Sequence, residues 1–371
     1  MTIAFYAPLK SPNHPTPSGD RRVGRLILQA LKMSGEKVEL ASEFRSYNKT
    51  GDNEIQDSLE QEAAAEMQRL ITLYEKNGAP EVWFTYHLYH KAPDLIGPKI
   101  CKHFHIPYCI AEASYAPKQE SGPWDRGLKA TQEALALAGR IYVLNPDDVP
   151  CIKPYLPSWT ELILLPPFLD ARPYQSNLDQ LDRGKWAEKL DLPEDDIWAI
   201  AVGMMRKGDK TQSYEIIADS WKKLGENACS LILVGDGESR KDLEEKFANL
   251  HVPVRFTGQM DENEIADLLQ NCDLCIWPGI KEAFGLAMLE AQAAGLPVVS
   301  ANRAGIANFI HHRQTGLLVE EGNVDAFSEA VDYLLEHEDI RHNMSFAAEE
   351  NVKYNHSLQA AAQIIARSLP L

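Results

Sequence analysis

The stretch Trp277-Pro-Gly-Ile-Lys-Glu-Ala-Phe-Gly-Leu-Ala-Met-Leu-Glu-Ala-Gln-Ala-Ala-Gly-Leu-Pro-Val-Val-Ser300 reads as a buried strand end, a Pro-Gly loop, a helix, a glycine stop and a second apolar strand. Strand, helix and returning strand are the unit of a parallel sheet. Gly285 closes the loop where backbone can approach a ligand, and the helix it opens begins with N–H groups that lack intrahelical acceptors. With the helix dipole, the N–H groups of Phe284, Gly285 and Leu286 form an anion site that suits a diphosphate. Glu290 lies one turn further in, roughly 5–6 Å from Leu286 on the same face, which is the reach from a phosphate to the diol of an attached ribose. Glu282 precedes the helix and falls on the other side of the phosphates, where a sugar would lie. A lone glutamate is more simply a solvated charge. Two of them flanking a helix-start glycine after a buried strand are read as ligands.

Outward from this stretch the same alternation covers the chain. Strands are predicted at 3–7, 37–41, 82–85, 108–111 and 140–143, followed by the apolar strand Leu162–Asp170 with its Pro166-Pro167 break. A polar segment from Ala171 to about Asp195 is the best boundary. A second series follows at 198–203, 229–234, 254–257, 273–277, 297–300 and 316–319, with helices at 212–224, 239–249, 261–270, 286–294 and 324–337. The α/β class therefore takes the form of two Rossmann-like, doubly wound domains, residues 1–170 and 171–345. A helical tail, 346–371, is expected to return to the first. Ligands of such sheets lie beyond the carboxyl ends of the strands, and two facing sheets would enclose a cleft.

Composition narrows the function. The 371 residues carry 37 Lys and Arg against 54 Asp and Glu, a formal charge of −17 that argues against nucleic acid as a partner. Lys10, Arg21, Arg22 and Arg25 still make a local basic face that could meet an anionic membrane surface. No apolar run reaches the roughly 18 residues of a membrane span, and the first residues lack the pattern of a secretory leader. Six scattered cysteines suit a reducing compartment, so a cytoplasmic location is expected. Cys272 and Cys275 fall within a strand-like run and are read as packing residues rather than metal ligands.

Glu282 and Glu290, separated by seven residues and continued by Ala-Gln-Ala-Ala-Gly-Leu-Pro-Val-Val299, resemble the E-x7-E motif of family 4 retaining glycosyltransferases. The resemblance is strongest over residues 195–335. It implies the GT-B architecture of two facing Rossmann-like domains, transfer from a nucleotide diphosphate donor with retention at the anomeric carbon, and no metal or other cofactor. Glu282 would then position the sugar hydroxyls. In Ala201-Val-Gly-Met-Met-Arg-Lys-Gly-Asp-Lys210, Arg206 and Lys210 match the basic pair that neutralises the diphosphate, although Arg206 does not follow Gly203 directly and Lys207 could replace Lys210. Gly19, in the Pro-rich loop 11–21, matches the glycine that approaches the diphosphate or donor sugar. Leu233-Val-Gly-Asp-Gly-Glu238 resembles the turn near the base. Where the family often has a histidine near the reacting centre, this chain offers Glu112, and His87 in Thr85-Tyr-His-Leu-Tyr-His90 is a second candidate; either could accept a proton from the acceptor hydroxyl.

A UDP-sugar is the expected donor. For the acceptor, Ala7–Pro15 together with Gly122-Pro-Trp124 faintly resembles bacterial enzymes that glycosylate diacylglycerol, so a lipid acceptor stands beside a polysaccharide or lipid-linked oligosaccharide. A non-catalytic nucleotide-sugar-binding protein is the competing class. A redox Rossmann enzyme would need a Gly-x-Gly-x-x-Gly after the first strand, which Ala7–Gly19 lacks.

Overall fold

The structure is a computed structural model that describes residues 1–16, 18–175, 181–225, 228–282 and 284–370. Pro17 of the Pro-rich loop, residues 176–180 of the polar boundary segment and Ala283 of the E-x7-E stretch lie outside the described residues. The chain divides into two compact units, residues 1–166 with 358–371, and residues 167–357.

The first unit carries strands β1 (Thr2–Tyr6), β2 (Lys37–Ser42), β3 (Val82–Leu88), β4 (Tyr108–Ala113), β5 (Arg140–Val143) and β6 (Glu161–Leu164). Its helices are α1 (Gly19–Met33), α2 (Asn53–Asn77), α3 (Gly97–Phe104), α4 (Asp125–Leu135) and the single turn α5 (Val149–Ile152). The sheet is parallel in the order β2-β1-β3-β4-β5-β6, so β1 and β3 flank the point where the winding reverses. β3 and β4 are near-continuous buried runs, as strands of a parallel sheet are when both faces are covered. The Ser18 hydroxyl caps α1 by accepting the Arg21 N–H at 3.3 Å.

In the second unit the strands are β7 (Trp198–Val202), β8 (Ser230–Val234), β9 (Val254–Gly258), β10 (Leu274–Trp277), β11 (Val298–Ala301) and β12 (Gly316–Val319), ordered β12-β11-β10-β7-β8-β9 and parallel throughout. The helices are α6 (Arg183–Leu190), α7 (Asp209–Leu224), α8 (Arg240–Phe247), α9 (Glu262–Gln270), α10 (Leu286–Ala293), α11 (Ala304–Ala307), α12 (Val324–Glu336) and α13 (Glu338–Asn355). Winding reverses between β7 and β10. The core gathers Trp198, Trp221, Tyr214 and the aliphatic residues of β7, β8, β10 and β11.

The tail departs from the expected single helix 346–371. α13 remains in the second unit, and only α14 (Leu358–Ser368) belongs to the first, where it packs on α1. The break has a local cause. The His356 carbonyl accepts the Leu169 N–H at 2.9 Å, and its Nδ1 bonds the Pro167 carbonyl at 2.7 Å, so this backbone closes a bridge with 167–169 instead of another helical turn. No helix among the described residues is long and apolar enough to cross a membrane.

Candidate functional site

The carboxyl ends of β7 and β10 stand side by side at the reversal of the second sheet, and the residues singled out from sequence lie on the loops that leave them. After β7 the backbone passes Gly203 and Met205. Its closeness to the next turn explains the glycines of Gly235-Asp-Gly237: at Gly235 (φ 136°) an added Cβ would sit 1.9 Å from the Gly203 carbonyl oxygen, and the Met205 N–H bonds the Asp236 carbonyl at 2.9 Å. Asp236 turns on itself, accepting the Gly237 N–H at 2.8 Å. Arg206 is exposed and makes no ion pair among the described residues, whereas Lys210, the second residue of α7, is paired with the loop after β10.

Lys210 Nζ pairs with Glu282 Oε2, the Trp277 indole N–H reaches the same oxygen at 3.3 Å, and the ammonium stands 5.0 Å over the Trp277 ring. Both charged side chains are about one-fifth exposed. Trp277 is in turn fixed edge-on against Tyr214, whose hydroxyl donates to the Gly203 carbonyl at 2.7 Å. The loop 279–282 closes as a turn, with the Glu282 N–H on the Gly279 carbonyl at 3.0 Å. Lys210 and Glu282 are thus brought together; Lys207 is exposed, with its N–H on Glu238.

Gly285 opens α10 at φ 65°, a left-handed conformation that strains any residue with a side chain, and a Cβ there would also displace the Met288 methyl, 2.5 Å away. Glu290, on the inward part of α10, is 4% exposed. Phe284 and Leu286, on either side of Gly285, are half-buried.

The first unit carries a second constellation at its own reversal point. His87 near the end of β3 and Glu112 in β4 both adopt left-handed backbone, φ 62° and 59°, which is uncommon for residues with a side chain. His87 Nδ1 bonds Asp20 of the first turn of α1 at 2.9 Å and lies 4.0 Å from Glu112. Burial alone would pull the imidazole down, but Glu112, Asp20 and Asp148 outweigh it and hold His87 above its ordinary value. Burial likewise pushes Asp20 up, but the His87 hydrogen bond and charge, joined by the Lys10 charge and a backbone hydrogen bond, together outweigh it and leave that carboxylate below its ordinary range. Burial and then the Glu112 charge raise Asp148. The two alternatives read from sequence, His87 and Glu112, are therefore neighbours. Gly19 starts α1 with open space around it.

Three partners were not read from sequence as site residues. Asp20 directly follows Gly19 and could have been found there; Arg303 and Glu321 are tied to the Glu282 loop only through space. Cys272 and Cys275 are buried, and burial pushes the Cys275 thiol up to about 12, which suits packing. Among the described residues no three His, Cys, Asp or Glu side chains gather as a cation site.

Residues 182–351 match the family model for glycosyl transferases group 1. N-acetyl-alpha-D-glucosaminyl L-malate synthase of Bacillus anthracis is 31% identical over 188 residues, 50% of this chain and 47% of that protein. Sulfoquinovosyl transferase SQD2 of Arabidopsis thaliana is 33% identical over 148 residues, 39% of this chain and 28% of that protein. The matched part thus spans less than half of these relatives. Among solved structures, Anabaena HepE in complex with UDP superposes with a TM-score of 0.74 at 16% identity, covering 100% of this chain and 99% of that one. A glycosyltransferase from Rickettsia africae superposes with a TM-score of 0.74 at 16% identity, covering 98% and 96%. These likenesses are of fold.

Proposed function

We propose, on the premise of a second unit that belongs with the group 1 glycosyl transferases, that this protein transfers a sugar from a nucleotide diphosphate donor to a hydroxyl-bearing acceptor, with retention and without a metal ion. The diphosphate rests on the opening turn of α10, with Arg206 and Lys210 as its cations. Glu290 receives the ribose hydroxyls and Glu282 the sugar. As the glycosidic bond breaks, the departing nucleotide diphosphate gains charge, and Arg206, Lys210 and the helix start stabilise it with preorganised positive potential. The acceptor oxygen attacks on the face the leaving group vacates and gives its proton to His87, held by Asp20, or to Glu112.

The observation that carries this reading is the convergence at one strand reversal of an eight-residue helix opened by Gly285, a lysine already seated on Glu282, and an exposed arginine without an ion pair among the described residues. UDP is the proposed nucleotide, in keeping with the HepE complexes with UDP and with UDP-glucose. The proposed acceptor is a lipid or a glycan, with diacylglycerol as the lipid to try first. The basic residues Lys10, Arg21, Arg22 and Arg25 of the first unit support contact with an anionic membrane surface on the cytoplasmic side.

Thermal-shift titration with UDP, GDP and ADP, each with and without EDTA, tests donor class and metal need on one plate. UDP should stabilise the protein equally in both conditions; no shift with any of the three overturns the donor site. Incubation with UDP-sugars and diacylglycerol vesicles should yield glycolipid, and product with glycan acceptors alone would remove the lipid arm. Donor binding with no hydrolysis and no transfer would make the chain a binding protein.

A further inference from the structure

We infer that Arg303 and Glu321 form a clasp that positions Glu282 for the donor sugar, and so act as positioning residues for donor-sugar selection; this rests on the donor site proposed above. Glu321, between β12 and α12, uses both carboxylate oxygens. Oε1 accepts the Lys281 N–H at 2.6 Å, and Oε2 pairs with Arg303 Nη1 at 2.7 Å. Arg303, at the start of α11, donates its Nε–H to the Glu282 carbonyl at 3.2 Å. Two consecutive residues of the loop are thereby held from one ion pair.

The rest of the loop is equally constrained. The Ile280 N–H donates to Ser213 Oγ at 3.1 Å, and the Glu282 N–H to the Gly279 carbonyl at 3.0 Å. Lys281 Nζ pairs with Asp209 at 3.0 Å, one residue before the Lys210 that holds the Glu282 side chain. Lys281 itself sits at φ 49°, a left-handed conformation that a side-chain-bearing residue keeps only where its surroundings impose it. Glu321 and Arg303 impose it. They are not aimed at the nucleotide end: they fix the peptide from which the sugar-facing carboxylate projects, so that the carboxylate is oriented before any ligand arrives. Surface ion pairs are individually weak, and neither residue is expected to govern folding.

The ratio of UDP affinity to UDP-sugar affinity isolates what the sugar itself contributes, and it needs no acceptor. Titration calorimetry with UDP, UDP-glucose, UDP-galactose and UDP-N-acetylglucosamine would be run on the wild type, Arg303→Ala, Glu321→Ala and Glu321→Gln. The wild type should bind one UDP-sugar more tightly than UDP. Both alanine variants should keep the UDP affinity within about twofold and lose about tenfold of the sugar contribution, the scale set by misplacing a positioned group. Glu321→Gln, which keeps an acceptor for the Lys281 N–H, should recover part of the loss and remains informative if an alanine variant does not fold. Equal loss for UDP and UDP-sugar, no loss at all, or a wild-type sugar contribution of nil would each overturn the clasp. A wild type that binds none of UDP, GDP or ADP would instead overturn the donor site.

Discussion

Lys210 sets its ammonium on the Glu282 carboxylate, and one residue before each, Asp209 pairs with Lys281 at 3.0 Å. Two adjacent, charge-reversed pairs thus tie the start of α7 to the loop after β10. The lysine expected to meet a diphosphate has an acid for company, while Arg206 has no ion pair among the described residues. An arriving diphosphate would share Lys210 with Glu282 and take Arg206 outright.

That asymmetry separates the two cations experimentally. Arg206→Ala should weaken UDP binding by about tenfold or more, on the scale of about 1.5–3 kcal/mol for a charge-assisted hydrogen bond, and leave the melting temperature of the free protein unchanged. Lys210→Ala should weaken UDP comparably and also lower the melting temperature, because Glu282 loses its partner while four-fifths buried. Calorimetry and thermal melting read the two effects apart. Identical melting of both variants would remove the pair from the account.

Glu290 is 4% exposed, so a ribose would have to meet it at the inner edge of α10. Glu290→Ala should reduce the thermal shift given by UDP and abolish the preference for UDP over 2′-deoxy-UDP. A shift that is unchanged in the variant, or a surviving preference for the ribose, would count against the ribose assignment.

His87 offers a pH signature. As the proton acceptor it must be neutral, so transfer should rise with pH through a value above the ordinary one for histidine, since Glu112 and Asp20 outweigh the burial that lowers it. Asp20→Asn removes one of the charges that raise it and should move that limb to lower pH, while His87→Ala should flatten it. The raised value also fixes the sign for stability: the contribution of protonated His87 is complete below about pH 6.5 and fades as pH rises through the folded value. Melting of the wild type and His87→Asn across this interval should therefore converge on the alkaline side.

His356 gives the opposite sign. It is 2% exposed, and burial lowers it to about 4, partly countered by the Pro167 carbonyl and helped by His311. A neutral buried imidazole that resists protonation stabilises the fold fully above about pH 6.5, and this stability is lost as pH falls from there toward 4. The span corresponds to roughly 3 kcal/mol at its limit. Denaturant unfolding of His356→Gln should be less steeply acid-sensitive over that window than the wild type, and an equal slope would remove His356 from the acid response.

Most of the strand order of events along the chain was legible because a parallel strand needs only a short apolar run between turn signals. The strands expected at 140–143 and 316–319 coincide with β5 and β12, and β7, β8, β10 and β11 begin or end within a residue of the reading. The tail was not legible. Its amphipathic pattern runs on through His356, and nothing local announces that this backbone will be claimed by Leu169. For the site, Gly285, Glu282 and Glu290 could be picked from one stretch because a helix start presents its chemistry over a few consecutive residues.

What the sequence by itself determined was which segments become strands and helices, where the helix after Gly285 begins, and which residue types stand beside it. All of these depend on periodicities and turn chemistry within about ten residues. Only the tertiary structure decided partnership. Asp20 meets His87 across 67 positions and Lys210 meets Glu282 across 72, because the winding of each sheet brings two distant strand ends together at its reversal point. Charge alone cannot choose among 37 cations and 54 acids; the short list of neighbours is set by strand order, and the left-handed backbone at His87, Glu112 and Lys281 is held there by contacts that no local pattern contains.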